Sequence, residues 1–164
     1  MEKLRLEKLN EKHLGQISGY ISEFPEERLK VTFDPDRIPG LDHLECFGSI
    51  GEWYAFCLKN TGKISWFVTI RESDGKMIGA VCLRHSLEYD DDEEDFSSHI
   101  GYSVRPSERM KGYAKEQLRL CLSEAKRIGL EKVRIVCRDI NIGSGKTIRA
   151  NGGVYLGQHR TTTG

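Results

Sequence analysis

The sequence lacks a long apolar run and it lacks net charge. None of its 164 residues belongs to an apolar segment approaching the roughly 20 residues of a membrane-spanning helix. Its 25 Lys and Arg residues balance its 25 Asp and Glu residues, so a nucleic-acid partner has no electrostatic support. The N-terminus alternates charged residues and no apolar signal core follows. We therefore expect a soluble, cytoplasmic, single-domain protein with no membrane partner.

The sequence also lacks the cysteine spacing of disulfide frameworks and zinc sites. Five cysteines are scattered through apolar segments, and no two are spaced as Cys-x-x-Cys: Cys46, Cys57, Cys82, Cys121 and Cys137. An odd, scattered set favours reduced core residues over disulfides or metal ligands. We predict a reducing compartment and no metal site.

The first half of the sequence predicts a strand followed by two helices. Alternating residues over 3–8 indicate the strand. Asn10 can cap a helix with an apolar stripe of Leu14, Ile17, Ile21 and Phe24. Residues 25–42 contain three prolines and are expected to be irregular, and residues 43–59 show a second helical pattern.

The second half predicts three strands and then alternating helices and strands. The runs 64–70 and 77–83 flank a turn containing Asp-Gly, which indicates an antiparallel hairpin. Residues 99–104 form the next predicted strand. A strong amphipathic helix over 114–128, a strand over 133–137, a short helix capped by Asn141 and a last strand over 154–156 follow. This order predicts a mixed α/β fold.

The most informative segment joins a predicted strand to the strongest predicted helix. It reads Val104-Arg105-Pro106-Ser107-Glu108-Arg109-Met110-Lys111-Gly112-Tyr113-Ala114. The first turn of a helix has unpaired N–H groups and a positive dipole end, so it can bind phosphate. Gly112 lets a ligand approach the backbone, and Arg109 and Lys111 add charge suited to a diphosphate. The alternative is an ordinary basic loop before a helix.

A second informative segment follows the predicted strand 133–137. Asn141 can cap the next helix while its amide also reaches an extended ligand, and Ser144 lies one turn later on the same side. The same segment contains Gly145-Lys146-Thr147, which resembles the end of a Walker A loop. The first glycine of that motif is replaced by Ile140, and only 17 residues follow Thr147. A nucleotide triphosphatase is therefore disfavoured.

Taken together, the two segments resemble the GCN5-related N-acetyltransferases, the GNAT superfamily. The string Arg109-x-x-Gly112-x-Ala114 is similar to its Gln/Arg-x-x-Gly-x-Gly/Ala pyrophosphate loop. Val104-x-Pro106 matches the strand-end pattern before that loop, and Asn141 matches the asparagine that contacts pantetheine. The strong resemblance covers about residues 76–153, whereas the N-terminal half agrees in element order only.

The resemblance implies a mainly antiparallel central sheet flanked by helices, with a V-shaped cofactor cleft. A bulge would splay the strand 97–104 from the strand 133–137. The pantetheine arm of acetyl-CoA would pair with the first of these strands, and its pyrophosphate would lie on the N–H groups of residues 110–115. Backbone groups near 102–104 would polarise the thioester carbonyl. The implied cofactor-binding residues are Tyr102, Ser103, Val104, Arg109, Met110, Lys111, Gly112, Tyr113, Ala114, Lys115, Asn141 and Ser144.

The usual acid and base positions carry other residues. The tyrosine that protonates the leaving thiolate usually stands seven residues after the motif asparagine, where this chain has Ile148. The usual base position, six residues before Val104, holds Ser98. The catalytic candidates are therefore His99, whose ordinary pKa suits a base, and Tyr155, the next tyrosine. Their alternatives are a structural histidine and a strand aromatic; a water relay or substrate-assisted proton loss is also open.

Two polar segments each have two interpretations. The acidic run over 90–95 is either a solvated loop or an attractor of a cationic amine. Residues 157–164 are either a disordered tail, or the superfamily's last strand is missing.

The sequence thus predicts one acetyltransferase domain over residues 1–164. It would transfer an acetyl group from acetyl-CoA to a primary amine of a small molecule, peptide or protein by direct attack. The alternative is a non-catalytic acyl-CoA-binding module or sensor. No nucleic acid is expected as a partner, and a homodimer is left open.

Overall fold

A sheet of antiparallel strands forms the centre of the protein. The computed structural model describes residues 1–24, 37–87 and 98–158. Within these residues the sheet has four strands in the order β1-β2-β3-β4, and each neighbouring pair is antiparallel. The strands are β1 (Leu4–Lys8), β2 (Ile64–Arg71), β3 (Met77–Arg84) and β4 (Ile100–Val104). The alternating and β-branched segments predicted each of them.

Four α-helices flank the sheet in the described part of the chain. They are α1 (Leu14–Ser22), α2 (Ile50–Lys59), α3 (Tyr113–Arg127) and α4 (Ile142–Ala150). Asn10 caps a 3-10 turn that leads into α1. Helix α2 begins seven residues later than the predicted residue 43. Phe47 is extended and Ser49 caps the first turn of α2 by accepting the N–H of Glu52, so Ser49 fixes the start.

The two faces of the sheet carry separate apolar clusters. Helices α1 and α2 pack on one face, here called the α1–α2 face, through a cluster that includes Ile17, Trp53, Trp66, Ala80 and Cys82. Helix α3 packs on the other face, here called the α3 face, through a cluster that includes Phe67, Val81, Leu83, Leu118 and Cys121. Because successive residues of β2 and β3 point to opposite faces, both strands are buried along almost their whole length.

The two predicted strands at the C-terminal end do not form. Residues 133–137 are not part of the sheet; hydrogen bonds to residues 98 and 99 hold them beside β4. Residues 154–156 are also irregular, and Val154, Tyr155 and Leu156 are 81%, 71% and 87% exposed. The apolar composition of this segment favours a strand, but no described strand pairs with it, and a strand is stable only when its backbone is paired.

The structure bears on several smaller predictions. All five cysteines are free, but Cys46 is exposed, so it is not the core residue that the sequence predicted. Residues 143–147 lie inside α4, not in a phosphate-binding loop, which agrees with rejecting the Walker A interpretation. The described residues contain no metal-ligand cluster and no helix with the length and apolarity to span a bilayer. The acidic run 90–95 and residues 159–164 lie outside the described residues.

Candidate active site

The outer edge of β4 presents one open peptide, that of Tyr102. The N–H of Arg84 donates to the carbonyl of His99, and the N–H of Arg105 donates to the carbonyl of Ile78, both at 2.7 Å. In an antiparallel ladder, backbone direction alternates along the strand. The backbone groups of Ile100, Tyr102 and Val104 therefore point away from β3. No described residue bonds to the N–H or C=O of Tyr102, so that peptide is open to a ligand.

Ser98 and His99 bond the segment 133–137 beside the start of β4. The N–H of His99 donates to Arg134 O at 2.8 Å, while the N–H of Arg134 donates to His99 Nδ1 at 2.9 Å. The N–H of Val136 donates to Ser98 Oγ at 3.2 Å. Side chains thus replace part of the backbone ladder between the start of β4 and this segment. The family resemblance implied a bulge that splays these two segments; the register shift in the described sheet lies instead between β2 and β3.

The loop after β4 ends in an uncapped helix N-terminus. Met110 and Gly112 both adopt positive φ, 62° and 82°, on either side of Lys111. Alternation of this kind turns successive N–H groups inward into an anion-binding nest. Gly112 is the N-cap of α3 and no side chain caps it, whereas Ser49 and Asn141 close the starts of α2 and α4. The predicted phosphate-binding residues 110–115 thus offer backbone donors at one place.

The basic side chains of this loop have partners within the protein. Lys111 Nζ donates to Glu108 Oε2 at 2.7 Å, and Arg109 Nε donates to Val104 O at 3.3 Å while its guanidinium lies 5.7 Å from the ring of Phe24. Lys111, Lys76 and Arg71 surround the buried Glu108 and hold its pKa at about 2. In this conformation the backbone N–H groups, more than these two side chains, are available to an anion.

The loop is tied to the rest of the protein at both ends. At its start, Arg105 Nη1 donates to Glu23 Oε1 at 2.8 Å and the N–H of Ser107 donates to Glu23 Oε2 at 3.0 Å. Beneath α3, the fully buried Gln117 donates to Ser103 O at 3.1 Å. Gly79 makes room for Gln117, since a Cβ on Gly79 would stand 1.9 Å from its Oε1. These contacts fix the start of α3 relative to β4.

A pair of hydroxyls joins β4 to α4. Tyr102 Oη lies 2.7 Å from Ser144 Oγ, and the N–H of Ser144 donates to Asn141 Oδ1 at 3.1 Å. Asn141 therefore has the capping role that the sequence predicted. Burial raises the pKa of Tyr102 to about 12, and the nearby thiol of Cys137 acts in the same direction. The structure thus brings the sequence-predicted Tyr102, Ser144 and Asn141 together beside the open edge of β4.

The α1–α2 face of β4 contains residues that the sequence analysis missed. Tyr20 is fully buried and its hydroxyl lies 2.8 Å from Ser103 Oγ. Asp42 is also buried; it accepts from Arg37, from Arg84 and from the N–H of Gly40. Tyr20 follows Ile17 by three residues, so the helical spacing could have added it to the α1 stripe. No local sequence pattern points to Asp42, because only tertiary contacts bring it to β4.

The two catalytic candidates lie in different surroundings. His99 is neutral at pH 7, because burial and the charge of Arg134 lower its pKa. Since Nδ1 accepts a backbone N–H, the neutral ring carries its proton on Nε2. Tyr155 is 71% exposed, and its hydroxyl has no hydrogen-bond partner in the described part of the chain. The structure therefore does not bring His99 and Tyr155 together, and their catalytic roles stay predictions.

The class of protein follows from a family match that agrees with the open Tyr102 peptide and the uncapped start of α3. The acetyltransferase (GNAT) domain matches residues 4–154 of the chain. The chain belongs to the GNAT family of acetyltransferases, whose acyl donor is acetyl-CoA. No curated protein matches its sequence significantly.

Solved structures with the same fold include three acetyltransferases. Spermidine N-acetyltransferase from Vibrio cholerae, in complex with CoA and spermine, is 18% identical with a TM-score of 0.67, over 94% of this chain and 82% of that one. Ribosomal-protein-S5-alanine acetyltransferase from Vibrio fischeri is 17% identical with a TM-score of 0.66, and the match covers 93% of this chain and 80% of that one. RimL, a ribosomal L7/L12 α-N-protein acetyltransferase whose coenzyme A forms a disulfide with a cysteine of that protein, is 17% identical with a TM-score of 0.62, over 90% and 78%.

Proposed function

We propose that this protein transfers the acetyl group of acetyl-CoA to a primary amine by direct attack of the amine on the thioester. The observation that carries the proposal is the combination of an open Tyr102 peptide on β4 with an uncapped α3 N-terminus after the same strand. An extended ligand with amides at one end and a diphosphate at the other fits both features. Acetyl-CoA has this chemistry and supplies the activated acetyl group.

The chain's own groups have separate tasks in this proposal. The N–H groups of residues 110–115 hold the pyrophosphate. The outward backbone of β4 pairs with the pantetheine amides as an added strand would. The N–H of Tyr102 donates to the thioester oxygen, where negative charge develops during attack. Each task uses fixed backbone donors, so little reorganisation is needed when the substrates bind.

The amine acceptor approaches from the α1–α2 face. The α3 face is occupied by α3, α4 and the segment 133–137. On the α1–α2 face, Gly101 has no side chain, and Asp42 Oδ1 lies 3.5 Å from the position of a Cβ there. The structural neighbours are named for acceptors that include spermidine and ribosomal proteins. We propose a primary amine of a small molecule, peptide or protein as the acceptor class here.

Water is the proposed proton acceptor for the amine. Among the described residues, Asp42 and His99 are the candidate bases considered beside β4, and both already accept hydrogen bonds. An amine therefore loses its proton to solvent before it attacks. A cytoplasmic location and a homodimeric state stay predictions of the sequence.

The second candidate function is a non-catalytic acyl-CoA sensor. The observation that favours it is the pair Ile148 and Tyr155, since the first cannot donate a proton and the second is exposed. Thermal shift and CoA release over a panel of amines separate the two functions. A sensor is stabilised by acetyl-CoA but releases no CoA with any amine, whereas the transferase does both.

Gly112→Asp tests the site itself. It places a carboxylate in the proposed phosphate site, so acetyl-CoA affinity in calorimetry should fall at least several-fold. Gly129→Asp is the matched control, because Gly129 also has positive φ, 96°, but lies at the other end of α3. Equal affinities for the two variants would contradict this placement.

Cys137 gives a test that needs no acceptor. RimL is described with a disulfide between CoA and a cysteine, and Cys137 of this chain lies near enough to affect Tyr102. With CoA disulfide as the oxidant, the Cys137 thiolate should displace one CoA and retain the other. Mass spectrometry should locate the adduct on Cys137 and not on the exposed Cys46. An adduct that survives Cys137→Ser would contradict the proposed position of the CoA sulfur.

A further inference from the structure

The Tyr102–Ser144 hydroxyl pair has no assigned task in the function proposed above. One hydroxyl belongs to the strand whose peptide edge is open, and the other to the first turn of α4, at a separation of 2.7 Å. Tyr102 thus offers two donors, its free peptide N–H at the edge of β4 and its phenol at the start of α4. A thioester also has two atoms that gain charge during transfer, the carbonyl oxygen and the sulfur, and both are bonded to the same carbon.

The hydroxyl of Tyr102 is held in the donating state. Burial keeps its pKa at about 12, so the phenol is protonated near neutral pH. Ser144 can donate its own proton to the phenol oxygen, which leaves the Tyr102 O–H free to donate elsewhere. The backbone N–H of Ser144 is used by Asn141, which fixes the position of the hydroxyl.

A purely structural bridge between β4 and α4 is the simpler interpretation. Two observations favour a catalytic role of the Tyr102 hydroxyl in addition to the structural one. The chain has Ile148 where this family usually has the acid, and Ile148 packs against the apolar cluster of the α3 face. Tyr155, the other candidate, is 71% exposed. Tyr102 contacts the same cluster, but its hydroxyl reaches Ser144 in the first turn of α4, beside Asn141, and its peptide belongs to the strand proposed to bind the thioester.

We propose that Tyr102, with Ser144 as its hydrogen-bond partner, is the catalytic acid that protonates the departing thiolate of CoA. This inference rests on the function proposed above. The amine nitrogen forms the new C–N bond, and the C–S bond breaks with its electron pair on sulfur. The phenol proton passes to sulfur, Ser144 passes its proton to the phenol oxygen, and water restores the proton of Ser144. The proton lost by the amine goes to water, so the step is balanced.

A binding experiment tests the contact without turnover. A hydroxyl that donates to sulfur should make CoA bind about twofold to tenfold more tightly than desulfo-CoA. Tyr102→Phe should remove that difference and leave affinity for desulfo-CoA within about twofold of wild type. Tyr54→Phe, on α2, is the matched control and should keep the wild-type ratio. A CoA to desulfo-CoA ratio that is unchanged in Tyr102→Phe would overturn the proposal even when CoA binding itself is intact.

A leaving-group experiment tests the proton transfer. With acetyl-CoA, Tyr102→Phe should lower kcat by about tenfold to a hundredfold, since a thiolate leaves tolerably without an acid. With the acetyl selenoester analogue the loss should shrink to less than about threefold, because a selenolate needs no proton to leave. Ser144→Ala should show the same pattern with a smaller loss. Equal losses with both donors would show a structural role only, and failure of wild type to bind CoA would instead overturn the proposed function.

Discussion

The carboxylate of Glu23 joins the end of α1 to Arg105, 82 residues later in the chain, through a hydrogen bond of 2.8 Å. The same carboxylate accepts the N–H of Ser107, so one side chain fixes the start of the loop between β4 and α3. Helix α1, on the α1–α2 face, is thereby coupled to the loop that is proposed to hold acetyl-CoA.

Glu23→Gln should weaken both the fold and the cofactor site. Loss of a charged acceptor for two donors should lower the free energy of unfolding by about 1–2 kcal/mol. Acetyl-CoA affinity should fall a few-fold, because the loop loses its anchor. Urea unfolding and calorimetry measure the two effects. The control is Glu124→Gln, which removes an exposed partner of Arg127 and should change neither quantity appreciably. Unchanged affinity in Glu23→Gln would show that the loop is held without this contact.

The strands and the main helix could be predicted from sequence because their signals are local. Period-two or β-branched runs gave β1 to β4, and the 3.6-residue stripe gave α3. The strand predicted over 133–137 failed for a tertiary reason, because Ser98 and His99 take up its N–H groups with their side chains. No local pattern shows such a replacement.

The loop and helix start around Gly112 could be predicted from sequence, but the partners of the loop's side chains could not. The order strand, loop with Gly112, amphipathic helix predicted a helix N-terminus for phosphate. The sequence also assigned Lys111 to the diphosphate, whereas its ammonium group pairs with Glu108. Glu108 also pairs with Arg71 at the end of β2 and with Lys76 just before β3, and both are far away in sequence. Spacing alone does not show that arrangement.

Glu108 should make stability depend on acid pH. Its pKa is lowered to about 2 by Lys111, Lys76 and Arg71, below the value of roughly 4.3 in an unfolded chain. Its contribution is therefore complete above about pH 4.3 and is lost as the pH falls through about 2. The stability difference between wild type and Glu108→Gln should be large near neutral pH and should shrink steadily as the pH falls towards the folded-state pKa. Thermal unfolding of both proteins across this range measures it, and a difference independent of pH would contradict the ion-pair account.

Met110 carries a backbone strain that glycine should relieve. It is a non-glycine residue at φ 62°, and its side chain is fully exposed. A left-handed conformation costs roughly 1–2 kcal/mol for such a residue, and the entropy of glycine offsets about half of this. Met110→Gly should raise the free energy of unfolding by up to about 1 kcal/mol. Met110→Ala keeps the Cβ and should stay near wild type. Destabilisation by Met110→Gly in urea unfolding would show that the strain is absent in solution.

The rate of acetyl transfer should follow the protonation of the acceptor and not that of His99. A lysine-like amine is largely protonated at about pH 7, so kcat/KM should rise from about pH 6 to about pH 9 as the free amine accumulates. Burial and Arg134 lower the pKa of His99, so its titration should not shape the rise in rate towards the alkaline end of this range.

His99→Ala and Tyr155→Phe should therefore each lower kcat/KM by less than about tenfold, below the roughly 10²–10⁴-fold effect of a true general acid or base. The shape of the pH profile should be unchanged in both variants, because neither group carries the titrating proton. His99→Ala should instead lower the melting temperature, because Arg134 loses the acceptor for its N–H and the segment 133–137 is less firmly held. A loss beyond about a hundredfold in His99→Ala, with unchanged circular dichroism and a flattened pH profile, would identify His99 as the base and displace water from that role.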